Sequence, residues 1–182
     1  SYGLFLDGSL IHAGNGGYLD AAKKIPVTSK SMFRIASMTK SFTAMAVLKL
    51  RDEGKLRLDD PVEQYIPEMK GQGLTPDDAL ITIRDLLVHS GGLPTDDPWA
   101  DRLLDQREED LFSLLKKRIT FSNSPGTAFE YSNLGYTLLG SLIGKVSGVN
   151  YQEYIQQTIC NPLKMQSFWD YTDISKDMLA RG

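Results

Sequence analysis

The sequence of 182 residues predicts an α/β (α+β) fold in which one antiparallel strand pair is followed by about six helices. Three observations carry this reading. Asp7-Gly8 stands between two apolar runs, residues 2–6 and 9–13. An unbroken, largely apolar run extends from Ser37 to about Glu53. Capping and stop residues then bracket a series of shorter helical segments.

Asp-Gly between apolar runs signals a tight hairpin, because glycine accepts the positive φ of a type I′ turn. The polar segment from Gly14 to Ser31 reads as loop. Phe42, Met45, Ala46, Val47, Leu48 and Leu50 make the helix from Ser37 apolar on most sides, the pattern of a buried helix, and Gly54 stops it. Asp60-Pro61 reads as an N-cap followed by proline at the first helical position. Thr82-Ile83-Arg84-Asp85 has capping-box form and starts a helix ending near His89. Residues 108–118 form an amphipathic helix with Leu111, Leu114 and Leu115 on one side. Pro125-Gly126 marks a turn, a buried helix runs from about Leu134 to Ser147, and Asn150 with Glu153 caps the last helix, which ends before Pro162. The remainder reads as irregular. Two strands alone are marginal, so the chain is expected to be an incomplete enzyme fold.

Composition excludes several functions. Hydrophobic residues are 41%, charged residues 24% and the net charge is −3, as in an ordinary globular domain with no basic block for nucleic acid. No apolar run is long enough to span a bilayer. No signal peptide is visible, and periplasmic, extracellular and cytoplasmic locations all fit. Two histidines and one cysteine, His12, His89 and Cys160, lack zinc-site spacing; neither a metal nor a cofactor is expected. Cys160, at a helix end, reads as a small buried hydrophobe.

Ser37-Met38-Thr39-Lys40 has the form S-x-x-K. Positions i and i+3 of a helix share one face, about 5–6 Å apart, so an amine there reaches the serine hydroxyl. An ammonium withdrawn from water loses charge stabilisation and becomes a proton acceptor. The helix N-terminus favours negative charge developing beside the serine. Serine and lysine are common residues, and a second match, Ser113-Leu114-Leu115-Lys116, exists. That one sits midway along an amphipathic helix whose end is solvated, and it reads as a decoy. The plain structural reading of Ser37 is an N-cap, and of Lys40 a snorkelling side chain.

Tyr131-Ser132-Asn133 adds a phenol and an amide two residues apart, just before a buried helix. A phenol beside a lysine cation becomes more acidic and can act as a general base. The Asn133 amide can bind a substrate carbonyl and also contact Lys40. The competing structural reading is a core tyrosine with an asparagine N-cap.

Residues 33–43, Phe-Arg-Ile-Ala-Ser-Met-Thr-Lys-Ser-Phe-Thr, resemble the nucleophile segment of the class C beta-lactamase-like serine hydrolases. Residues 53–62, 83–93 and 125–133, and the helix from Gly135-Tyr136 through Gly148, resemble further segments of that superfamily in the same order. The superfamily includes beta-lactamases, DD-peptidases, D-aminopeptidases and beta-lactamase-like esterases. The resemblance implies an antiparallel sheet flanked by helices plus an all-helical lobe, with the later strands missing from this chain. It implies Ser37 as nucleophile, Lys40 as proton acceptor or electrostatic partner of the base, Tyr131 as general base and acid, and Asn133 as substrate-orienting residue. The Ser37 N–H becomes half of an oxyanion hole, and tyrosine in the second motif favours the class C-like branch over class A.

The superfamily's third motif, Lys- or His-x-Gly on a later strand, does not follow Tyr131 here. His89-Ser90-Gly91 and His12-Ala13-Gly14 match its letters but precede Tyr131, and both read as structural. The chain is therefore expected to be one truncated domain over 1–182, with the hairpin and lead-in over 1–36 and a helical lobe over 37–176. The missing carboxy-terminal part of the same fold is its expected partner, and the fragment is expected to be inactive alone. The implied function is hydrolysis of an amide, beta-lactam or ester carbonyl in a small molecule or peptide through an acyl-serine. The alternative is a penicillin-binding sensor or scaffold that acylates without turnover. A Ser-His-Asp hydrolase is disfavoured, since no G-x-S-x-G elbow occurs. His89, before Gly91-Gly92, reads as a helix C-terminal cation. Trp99 reads as either a cleft-lining residue or a surface anchor.

Overall fold

The computed structural model describes residues 1–71, 79–95 and 107–180; Trp99 lies outside them. The chain divides into two compact units, one of residues 1–38 with 166–182 and one of residues 39–165.

The first unit opens with the predicted hairpin. Strands β1 (Tyr2–Leu6) and β2 (Ser9–Gly14) pair antiparallel with Leu6 opposite Ser9. Asp7 and Gly8 turn the chain with φ of +48° and +76°, the two positive angles that a type I′ turn requires. The register slips between Leu4 and Phe5, so that Phe5 faces Leu10 while Leu4 faces His12. Residues 15–31 are not all loop, as the sequence suggested. Strands β3 (Tyr18–Asp20) and β4 (Ile25–Pro26) form a second antiparallel pair in which Leu19 is buried. Strands this short leave no alternating pattern to read. A parallel bridge joins Met32 to Leu179, with Met32 N–H donating to the Met178 carbonyl at 2.7 Å. Thus the tail, read as irregular, carries a backbone pairing. The amino-terminal stretch of the unit ends on a 3₁₀ turn, Ala36–Met38, preceded by an Ile35 carbonyl that accepts from Met38 N–H at 3.0 Å.

The second unit is helical. Its helices are α1 (Thr39–Asp52), α2 (Ile83–Leu87), α3 (Glu108–Lys116), α4 (Asn133–Ser147) and α5 (Tyr151–Ile155), the last continued by a π-helical turn, Gln156–Cys160. Helix α4 packs against α1, α2 and α5. Its Leu138, Leu139, Leu142 and Ile143 meet Ala46, Val47 and Leu50 of α1 and Ile155 of α5 in one core, all eight fully buried. Each leucine, isoleucine or valine among them contributes about 1.5–3 kcal/mol of burial.

Three helix readings need correction. The helix from Ser37 is not buried all round: Thr43, Ala46, Val47 and Leu50 form one buried stripe, while Met45 is exposed. The i, i+3, i+4, i+7 spacing defines that stripe, and Met45 falls off it. The α-helix also starts at Thr39 rather than Ser37, after the 3₁₀ turn. Asp60 does not cap a following helix. Residues after it form 3₁₀ turns, Val62–Gln64 and Pro67–Met69, while Asp60 Oδ2 accepts from Arg57 N–H at 2.8 Å and Tyr65 O–H at 2.6 Å. The Tyr65 bond, then the Arg57 amide, hold its carboxyl below the usual range. Burial first, and then Asp60, push the Tyr65 phenol up to about 12.

The capping box at Thr82 forms as the sequence predicts: Thr82 Oγ1 accepts from Asp85 N–H and Asp85 Oδ2 from Thr82 N–H. Helix α4 stops at Gly148 as read, and Cys160 is buried. Ser113 and Lys116, the second S-x-x-K match, are exposed on α3.

Leu139→Ala in α4 should cost about 2–5 kcal/mol of stability, whereas Leu10→Ala on the exposed hairpin should stay within about 0.5 kcal/mol. Denaturant titration of each variant, followed by helical circular dichroism, measures both. Equal losses at the two positions would contradict the buried role of α4.

Candidate active site

Ser37 lies in the first unit, exposed at the middle of the 3₁₀ turn. The residue before it, Ala36, has φ +44°. An alanine in the left-handed region is strained, and such strain concentrates at functional turns. The chain passes directly from this turn into α1, whose second residue is Lys40.

The other three residues singled out in the sequence come together in the second unit. The Lys40 Nζ donates to Asn133 Oδ1 at 2.6 Å across 93 residues of sequence. The same nitrogen stands 4.7 Å from the centroid of the Tyr131 ring and 5.5 Å from that of Tyr136. An ammonium over aromatic faces is attracted by the ring quadrupoles, by about 0.5–2 kcal/mol each as water is withdrawn. Lys40 is only partly exposed, so amide and rings replace part of its hydration.

The start of α4 explains how Asn133 reaches this place. Ser132, not Asn133, is the N-cap: its Oγ accepts from Gly135 N–H at 3.2 Å. Asn133 is therefore the first residue of the helix, and its side chain is turned to Lys40. Tyr136 follows three residues later on the same face, the i+3 relation. That spacing was the sequence signal for Tyr136, which motif reading alone passes over. Tyr136 O–H donates to the Leu87 carbonyl at 3.0 Å. Burial, then the neighbouring Tyr131, push its phenol above the ordinary range, so it stays a protonated donor.

His89, read in the sequence as structural, is the second residue that joins this cluster. It follows the C-cap of α2 with φ +59°. Its ring lies 4.6 Å from Tyr131, 5.0 Å from Tyr136 and 5.7 Å from Phe129, centroid to centroid. Its Nδ1 accepts from Ser132 N–H at 3.1 Å, and its carbonyl from Glu130 N–H at 2.7 Å. A backbone N–H can only donate, so Nδ1 carries a lone pair and the neutral ring holds its proton on Nε2. Burial, then the Lys40 charge, lower its pKa. His89 is thus not the helix C-terminal cation that its position suggested. Only the fold brings it to residues 43 positions away, which local spacing does not signal.

Loops 89–95 and 121–133 are stitched together behind this cluster. Glu130 accepts from Ser122 Oγ and Asn123 Nδ2 on one oxygen and from Thr95 N–H on the other. Ser122 above all, then the Thr95 amide and Asn123, hold its carboxyl below the usual range. Gly126 N–H donates to the Ser90 carbonyl at 2.7 Å, and Ser90 Oγ to Asp85 Oδ1 at 2.9 Å. Gly92 has φ +71°, and a Cβ there would collide with the Asn123 carbonyl, so only glycine lets the two loops close.

Among the described residues no group of three or more His, Cys, Asp or Glu side chains is placed to hold a metal ion, and no helix is long and apolar enough to cross a membrane.

Comparison with known proteins places the fold. The chain is 36% identical over 156 residues to Protein flp of Staphylococcus aureus (strain MW2), covering 82% of this chain and 30% of that one. The octameric penicillin-binding protein homologue of Pyrococcus abyssi superposes with a TM-score of 0.78 at 35% identity, over 97% of this chain and 42% of that chain. The D-amino acid amidase of Ochrobactrum anthropi SV3, solved with D-phenylalanine, superposes with a TM-score of 0.73 at 31% identity, over 92% of this chain and 46% of that chain. The chain thus spans less than half the length of each. The fold is therefore part of a beta-lactamase/transpeptidase-like architecture. The family model described as Beta-lactamase matches residues 1–178, and the chain belongs to that family.

Proposed function

We propose that this chain carries the nucleophile and acid–base group of a serine hydrolase that works through an acyl-Ser37 intermediate on an amide, beta-lactam or ester carbonyl. The observation that carries the proposal is the meeting of Lys40, Asn133 and Tyr131: a 2.6 Å amide contact to the ammonium and a 4.7 Å approach to the phenol ring. Lys40 follows Ser37 by three residues, through the turn that leads into α1.

In this reading Ser37 Oγ attacks the carbonyl carbon while its proton passes to the Tyr131 phenolate, which the Lys40 ammonium stabilises. The Ser37 backbone N–H supports the oxyanion. Tyr131 then protonates the leaving group, the acyl bond to Ser37 Oγ remains, and water hydrolyses it. The neighbouring groups support Tyr131 over its rivals as the base. Tyr136 is pushed up and donates to a carbonyl, and His89 has Nδ1 engaged by Ser132. Asn133 orients both Lys40 and the substrate amide. The likeness to a D-amino acid amidase supports an amide substrate.

A second reading is favoured by the likeness to a penicillin-binding protein homologue: acylation without turnover, as a sensor or scaffold. Both need the same Ser37 and Lys40. They differ in the lifetime of the acyl-enzyme, which a fluorescent penicillin followed over time reads directly: a label that clears indicates hydrolysis, and a persistent one indicates the sensor.

Ser37→Ala should abolish labelling of the protein by a fluorophosphonate probe, while Ser113→Ala should leave it unchanged; labelling retained in Ser37→Ala refutes the nucleophile. Tyr131→Phe should slow acylation by roughly 10²–10⁴-fold as general acid–base catalysis is removed. An unchanged single-turnover rate excludes Tyr131 from proton transfer.

A further inference from the structure

We infer that His89 is the positioning residue of the Tyr131–Asn133 segment, acting through its neutral imidazole as the acceptor for the Ser132 amide, and that its protonation releases that segment. The inference rests on the acid–base role proposed above for Tyr131 and adds a pH-sensitive latch behind it.

Two bonds from one residue hold the segment on both sides of Tyr131. The His89 carbonyl takes Glu130 N–H at 2.7 Å, and His89 Nδ1 takes Ser132 N–H at 3.1 Å. The Glu130 and Ser132 amides are thereby fixed, the second in the peptide unit directly after Tyr131, and the His89 ring stacks against Tyr131 at a 4.6 Å centroid distance and a 32° tilt. Ser132 in turn caps α4, which sets the direction of Asn133 toward Lys40. A displacement at His89 is therefore transmitted to the phenol, the amide and the ammonium together.

The backbone carbonyl bond is indifferent to pH, but the ring bond is not. Protonated imidazole donates from both nitrogens, so Nδ1–H would face Ser132 N–H, donor against donor. The new cation would also share the site with Lys40, the charge already acting on this ring. Among the described residues, Lys40 from α1, Tyr131 from the preceding segment and Tyr136 from α4 are the titratable groups recorded against the imidazole, and no carboxylate is among the groups that shift it. The Glu130 carboxylate is turned away to Ser122, Asn123 and Thr95, and Asp85 is turned to Thr82 and Ser90.

The sign of the pH effect follows. His89 binds its proton less readily in the folded protein than in the unfolded chain. Its contribution to stability is therefore whole above the unfolded value of about 6.5. It declines as pH falls below that value, because the unfolded state then takes up the proton first. The latch is closed at neutral pH and opens on the acid side.

His89→Asn is the informative variant. Asparagine is among the side chains that best tolerate positive φ, and its Oδ1 takes the place of Nδ1 as an acceptor that cannot titrate. Heteronuclear NMR of the wild-type protein should show Nδ1 unprotonated at pH 7.5. The Ser132 amide should shift on acidification with the same midpoint as the His89 ring, below 6.5. In His89→Asn the Ser132 amide should not titrate, and fluorophosphonate labelling should keep its pH 7.5 rate to within about threefold while losing the acid-side decline. His89→Ala should label about 10–100-fold more slowly, the scale of a misplaced catalytic group. A Ser132 amide that ignores the His89 titration overturns the inference, whether or not any variant folds. So does an acid limb of labelling that persists in His89→Asn. A wild-type chain that does not label, as expected of part of the fold, leaves the amide titration alone to decide the role of His89.

Discussion

The hydrogen bond from Lys40 Nζ to Asn133 Oδ1 is the contact around which the helical unit is organised. An ammonium taken partly out of water needs substitutes for lost hydration. Here they are an amide oxygen and two aromatic faces. All of these belong to α4 or the segment leading into it. The N-terminal ends of α1 and α4 must therefore lie side by side, and the core decides that they do. The buried stripe of α1, Thr43, Ala46, Val47 and Leu50, continues the line of Lys40 along the helix and seats it on the apolar face of α4.

A packed helix pair sets direction but not the last ångström. That is supplied by the polar stitching of residues 82–95 to residues 121–133. Asp85 closes the cap of α2 and also takes Ser90 Oγ; the Ser90 carbonyl takes the Gly126 amide; Glu130 gathers Ser122, Asn123 and Thr95. Most of these acceptors are carboxylates or backbone carbonyls, and charged acceptors make the stronger hydrogen bonds. The stitching fixes the backbone on which Tyr131 and Asn133 stand, while His89 holds the Glu130 and Ser132 amides, one before and one after Tyr131.

Legibility in the sequence followed the range of the forces involved. The Asp7-Gly8 hairpin, the Thr82 capping box, the Asn150 cap and the stop at Gly148 rest on interactions between residues at most four apart, and their residue types announce them. Strands β3 and β4 escaped because five residues in all, one of them a proline, carry no period. Asp60 looked like a cap because its letters fit one, but it found Tyr65 and the Arg57 amide instead. Around the site, Ser37, Lys40, Tyr131 and Asn133 stood out through their motifs, and Tyr136 was recoverable from the i+3 spacing to Asn133. His89 was not, since its partner lies 43 residues away.

What the sequence by itself determined is the set of local choices: where the chain turns, where helices start and stop, which faces are apolar, and which side chains could bear chemistry. Backbone sterics and capping act over a few residues, so neighbouring residue types are enough to specify them. Only the tertiary structure decided that Lys40 finds an amide 93 residues away and that His89 is an acceptor rather than a cation. Those outcomes depend on burial and on which donor faces which lone pair, and neither is defined until distant segments have packed.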